Sequence, residues 1–155
     1  RMRIKLVGET FEPYSVIREF ENTLAAGKHG GVVSFVGSMR DFNDGLEVEC
    51  MHLDYYPEMT QKHIERVCAE AMQQWPIIDS LVVHRYGRII PGEAIVLVAV
   101  WSAHRSAGFD ACRYIINYLK ERAPFWKQEM TTSGEKRWVA YNSQDPGVKK
   151  LKHSA

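Results

Sequence analysis

AIVLVAVWSAHRS, residues 94–106, sets the frame for the chain. Its first nine residues read as a strand, and with SLVVHRYG (80–87) they give the two strongest strand signals in the sequence. The apolar run IVLVAVW is far short of the roughly 20 residues that a membrane-spanning helix needs. Ser102 to Ser106 mark a strand-to-helix turn, with Ser106 as the predicted N-cap. Beyond it Phe109, Cys112, Ile116, Leu119 and Ala123 form one stripe at about 100° per residue, the spacing of a helix running to about Arg122. Pro124 disfavours helical geometry at Ala123 and ends that helix.

Working outward, RIIPGE reads as the turn joining the two strong strands. Pro57 and Thr60 precede a second helix whose Ile64, Val67, Cys68, Ala71 and Trp75 face inward. Pro13 opens a first helix, with Val16, Ile17, Phe20 and Leu24 at helical spacing and an end near Gly27. MRIKLVG (2–8), GVVSFVG (31–37) and EVECMHLDYY (47–56) read as strands, and the last two are predicted to pair as a hairpin with a long tip. WKQEMTT and RWVAYN, on either side of SGEK, predict a closing hairpin. The order β-α-β-β-α-β-β-α-β-β points to a single α+β domain, helices packed on a mixed or mainly antiparallel sheet. Residues 1–142 form that domain on this reading, and 143–155 a mobile tail.

The chain has 155 residues, enough for one domain with a sizeable core. Hydrophobic residues at 45% and charged residues at 25% are a globular composition. A net charge of +1 excludes a polycation that binds nucleic acid with its whole surface, and it weakens a single-stranded RNA reading through Phe125 and Trp126. Cys50, Cys68 and Cys112 are widely spaced with no CxxC, which suits a reducing compartment. With RMRIKLVGE read as a strand and not as a signal peptide, the expected location is the cytoplasm. DFNDG is not a calcium loop, because glycine falls fifth from Asp41 and His52 stands twelfth, where glutamate is required. The histidines show no metal-binding spacing, and no GxSxG, P-loop or GxGxxG is present.

Three clusters have the residue types for chemistry. Lys120 lies about 20° from Phe109 on the edge of the apolar stripe. Partial desolvation there lowers a lysine pKa and gives a neutral fraction that can act as nucleophile or general base. The plainer alternative is a snorkelling lysine that caps the helix C-terminus. APFW turns the chain, so Lys127 can return towards Lys120; otherwise the aromatics are core and Lys127 is exposed. The turn SAHRS offers unpaired helix N-terminal amides with His104 and Arg105, a phosphate or carboxylate site or plain capping with surface charge. Gly37-Ser38-Met39-Arg40 ends another apolar strand in the same way.

FVGSMRDFNDG, LDYYPEMT, HRYGRIIPGE, VWSAHRSAGFDACRYIINYLKERAPFWKQE and GEKRWV follow one another from about residue 30 to residue 139. In that order they resemble the catalytic, large-subunit family of molybdopterin synthase. The resemblance implies an α/β hammerhead-type domain with an additional small antiparallel sheet. It implies a dimer within a heterotetramer, the partner being a small ubiquitin-like subunit whose C-terminal Gly-Gly thiocarboxylate enters a pocket. It implies transfer of two sulfurs to cyclic pyranopterin monophosphate, forming the dithiolene of molybdopterin, with no cofactor of the chain's own. Lys120 and Lys127 match the catalytic lysines. Ser38, Met39, Arg40, His104, Arg105, Gln128 and Glu129 match substrate-binding positions, although the family often has basic residues where Ser38 and Gln128 stand. The rival reading is a non-catalytic module binding a ubiquitin-like tail or a phosphate ligand.

Overall fold

A computed structural model describes residues 2–122 and 124–139. Strand β1 (Met2–Val7), helix α1 (Pro13–Glu21) and strands β2 (Gly31–Ser38), β3 (Phe42–Asn43) and β4 (Leu46–Tyr55) come first. Helix α2 (Pro57–Gln74) and strands β5 (Ile77–Arg85), β6 (Gly87–Ile89) and β7 (Ala94–Ser102) follow. Helix α3 (Arg105–Arg122) and strands β8 (Phe125–Thr131) and β9 (Lys136–Val139) complete the order.

The strands divide between two sheets. The first runs β1-β5-β7-β2, with β1 parallel to β5 and the other pairs antiparallel. Its central strands β5 and β7 are apolar because both faces are covered. On one face Val82, Val96, Val98 and Val100 meet Ile64 and Val67 of α2 and Ile115, Ile116 and Leu119 of α3. On the other Leu81, Val83, Leu97, Ala99 and Trp101 meet Phe20 of α1. A Cβ at Gly108 would come within 3.0 Å of Ser102 and Val33, so glycine lets α3 lie close on this sheet. Truncating the fully buried Leu119 to alanine would cost about 2–5 kcal/mol and loosen the helix end beside Lys120. The second sheet is antiparallel, with order β3-β4-β8-β9 and β6 beside β4. It covers a smaller core of Met39, Val48, Met51, Leu53, Ile89 and Phe125.

The predicted α+β class, the strong strand pair and the closing hairpin agree with this arrangement, whereas four local readings change. Helix α1 stops at Glu21, where Thr23 N–H and hydroxyl both donate to Phe20 O and tighten the chain into a turn before Gly27. Segments 31–37 and 47–56 do not pair: β2 runs along β7, while β4 joins the second sheet. The hairpin into β4 is instead the short one from β3, turned at Asp44 and Gly45 with φ of 52° and 75°, the positive values that a tight two-residue hairpin requires. RIIPGE is more than a turn, since β6 pairs Gly87 to Leu53, Arg88 to His52 and Ile89 to Met51. Helix α3 begins at Arg105, so Ser106 lies inside it and not at its cap. The tail 143–155 lies outside the described residues.

Candidate active site

The two lysines meet because α3 ends against the second sheet. Lys120 occupies the last turn of α3, and Thr60 Oγ donates to Pro124 O at 3.4 Å across the bend into β8. Phe125 then goes inward, its ring stacked on His84 at 3.9 Å and near Tyr55 at 6.0 Å. Trp126 does not follow: it stays 38% exposed, edge-on to Tyr56. Alternation along β8 sends Lys127 and Glu129 to one face. There they line a single pocket with Lys120, Ser38, Met39 and Arg40, flanked by Phe42, Asn43 and Met51.

Charge in this pocket is arranged unevenly. Lys127 is held below the ordinary lysine range, first by burial and then by repulsion from Lys120, Arg40 and Arg137, with Glu129 opposing the shift. Glu129 is buried, and its Oε1 accepts hydrogen bonds from Asn43 Nδ2 at 3.0 Å and Arg137 Nη2 at 3.1 Å. Arg137 also donates to Asn43 O at 2.9 Å, so one guanidinium fastens β9 to the β3 hairpin at the pocket edge. A carboxylate inside a cluster of cations keeps their charges close enough to act on one anion.

His104 and Arg105 lie elsewhere. They line a cleft with Gly30, Gly31, Ser102, Ser106 and Phe109 at the N-terminus of α3, where Ser102 Oγ donates to His104 O at 2.7 Å. Arg105 and Lys120 are fifteen positions apart on one helix, about 22 Å of rise. One protomer therefore does not bring both clusters to one ligand. Gln128, alternating with Lys127, faces away and lines a different depression with His52, Arg88 and Lys136. Among the described residues no His/Cys/Asp/Glu group is placed to hold a metal ion.

Sequence reasoning passed over His84, Asn43 and Arg137. His84 is fully buried and pushed down to about 4, chiefly by burial and further by the charge of Lys120. Its Nδ1 lies 2.9 Å from Arg85 O, and because a carbonyl only accepts, that nitrogen carries the proton of the neutral ring. A histidine inside the apolar run SLVVHR was the available signal. Asn43 and Arg137 carried none, since their partners depend on how β3, β8 and β9 pair.

A mixed sheet with helices on both faces, a second antiparallel sheet, and one pocket lined by a helix lysine, a strand lysine and Arg40 define an α+β domain with a cationic pocket. The chain belongs to the MoaE protein family, whose profile matches residues 9–122 and so takes in Arg40, His104, Arg105 and Lys120. It is 53% identical over 116 residues to the molybdopterin synthase catalytic subunit of Pseudomonas aeruginosa, covering 75% of this chain and 77% of that one. The solved MoaE protein of Burkholderia ambifaria superposes with a TM-score of 0.78 at 38% identity, over 94% of each chain. A Helicobacter pylori chain, solved as a complex of subunits 1 and 2 of molybdopterin-converting factor, shares the fold at 15% identity, with a TM-score of 0.74 over 95% of this chain and 94% of its own. No helix among the described residues is long and apolar enough to cross a membrane.

Proposed function

We propose that the chain is the catalytic component of a molybdopterin synthase. It takes sulfur from the C-terminal thiocarboxylate of a small ubiquitin-like subunit and delivers it, twice, to cyclic pyranopterin monophosphate to form the dithiolene. The observation that carries this reading is the convergence of Lys120, Lys127 and Arg40 in one pocket of a chain whose own thiols are all buried. Burial pushes Cys68 up to about 12 and Cys112 up to about 11, far from the thiolate form that carries sulfur. The sulfur therefore comes from a partner, and the names of the curated relatives support the same reaction. The unpaired thiols suit a reducing compartment, and we place the reaction in the cytoplasm.

Arg40 supplies a guanidinium fork for the substrate phosphate. Sulfur transfer forms a carbon–sulfur bond as a carbon–oxygen bond at the same substrate carbon breaks and its oxygen leaves protonated. Water then cleaves the acyl–sulfur bond, leaving a carboxylate on the small subunit and the sulfur as a thiol on the substrate. Both steps move protons, and Lys127, its pKa lowered by burial, stands beside Lys120 to move them. Lys120 is the principal group on this reading, with Lys127 supporting it and Glu129 placing the charges. The His104–Arg105 turn completes the anion site from a second protomer. Strand β2 is an edge of the first sheet, carries no charged residue and leaves Val32 and Phe35 exposed, which suits pairing with a second copy. In antiparallel pairing about a twofold axis the start of one β2 lies beside the end of the other. Gly31, at the start, lines the Arg105 cleft, and Ser38, at the end, lines the lysine pocket.

Single-turnover conversion of cyclic pyranopterin monophosphate by wild type and Lys120→Arg, each with thiocarboxylated small subunit, tests the proposal. Product from wild type and almost none from the variant is expected, because arginine stays protonated. No product from either would overturn the enzyme reading, and equal product would remove Lys120 from the chemistry.

A further inference from the structure

Arg40 sits at a weak point of its strand. The β2–β7 ladder shifts register between Gly37 and Ser38 and ends at the Ser38–Ala94 pair, so strand pairing alone does not fix Met39 and Arg40. What holds them is a two-way backbone exchange with the segment before β7: Met39 N donates to Glu93 O at 2.9 Å, and Gly92 N donates to Met39 O at 2.9 Å. That segment is itself clasped by side chains. Arg85, 6% exposed at the end of β5, donates from Nη2 to Arg88 O at 2.7 Å. Its Nη1 meets Glu93 Oε2 at 3.1 Å as an ion pair outside hydrogen-bond alignment. Glu93 Oε1 accepts from Ile90 N at 2.8 Å, so both carboxylate oxygens are engaged within the clasp. A buried guanidinium left without its carboxylate is strongly unfavourable, which makes this arrangement a rigid one.

We infer that Arg85 and Glu93 are positioning residues for Arg40, holding it at the pocket through the backbone of Met39. Neither side chain lines the lysine pocket. The inference rests on Arg40 acting as an anion ligand, and the clasp itself is open to a test that does not depend on turnover. Arg40 binds the substrate anion in ground and transition states alike, so loosening it raises KM and leaves kcat nearly unchanged.

The experiment is Glu93→Gln, which keeps the acceptor for Ile90 N and removes the charge facing Arg85, with Arg85→Lys as a second variant. Backbone hydrogen exchange at Met39 and Gly92 is measured alongside steady-state kinetics in wild-type and Arg40→Ala backgrounds. Expected are at least tenfold faster exchange at those two amides, a several-fold rise in KM with kcat within twofold, and no further rise in KM when Arg40 is already alanine. A purely structural role would lower activity equally in both backgrounds, and that additivity overturns the inference. Unchanged exchange at Met39 and Gly92 overturns it too, even if wild type proves inactive with the proposed substrate, an outcome that separately refutes the function proposed above.

Discussion

The two ends of α3 carry the same kind of charge in opposite settings. At the C-terminal end Lys120 shares a pocket with Lys127 and Glu129 of the second sheet, and its charge acts on the buried His84, which stacks on Phe125. At the N-terminal end His104 and Arg105 border an open cleft beside an edge strand, next to the exposed Phe109. Enclosure removes water and shifts the protonation of Lys127 and His84, while the open cleft leaves the Arg105 guanidinium within reach of an arriving anion. On the function proposed above, chemistry belongs to the closed end and recognition to the open one.

The sharpest way to break this division is at Lys120. Lys120→Ala should lower single-turnover rate by roughly 10³-fold, the scale of a lost general acid-base or nucleophilic group, with small-subunit binding intact by calorimetry. Enclosure itself is tested through His84. Its folded pKa of about 4 lies below the unfolded value of about 6.5, so the unfolded chain takes up the proton first. The stability it contributes is complete above about pH 6.5 and falls by about 3 kcal/mol on acidification to pH 4. Urea titrations at pH 7 and pH 4 should show that His84→Leu removes this part of the slope.

At the open end, Arg105→Ala should weaken turnover some 10- to 100-fold, the worth of a charge-assisted hydrogen bond. Mixing Arg105→Ala with Lys120→Ala protomers should restore about a quarter of wild-type activity if the turn serves its neighbour, because half of the dimers are mixed and each holds one intact site. Absence of recovery would return the turn to its own protomer. Gln128→Ala, on the far face of β8, should change kcat/KM by less than about twofold.

Much of this contrast was legible in the residues. The period of Phe109, Cys112, Ile116 and Leu119 put Lys120 at the edge of an apolar stripe, and Pro124 with Phe125 signalled that the chain turns back. Period-two alternation also separates Lys127 and Glu129 from Gln128, yet resemblance drew all three to one ligand. The pairing of β2 with β7 and not with β4 was not legible, because any apolar strand of similar length satisfies the local pattern and the choice is made by burial on both faces. The Arg137–Glu129–Asn43 link was invisible for the same reason: it joins residues 86 positions apart, Asn43 to Glu129, once a register exists.

The division between the sheets also orders events during synthesis. The first sheet draws all its strands from residues 2–102, and its covering helices end at Arg122. The lysine pocket exists only when β8 has paired with β4, across the first sheet's two central strands, β5 and β7, in sequence. During synthesis the chain thus makes every strand of its first sheet before Lys127 and Glu129 emerge, and the pocket closes only when β8 joins β4.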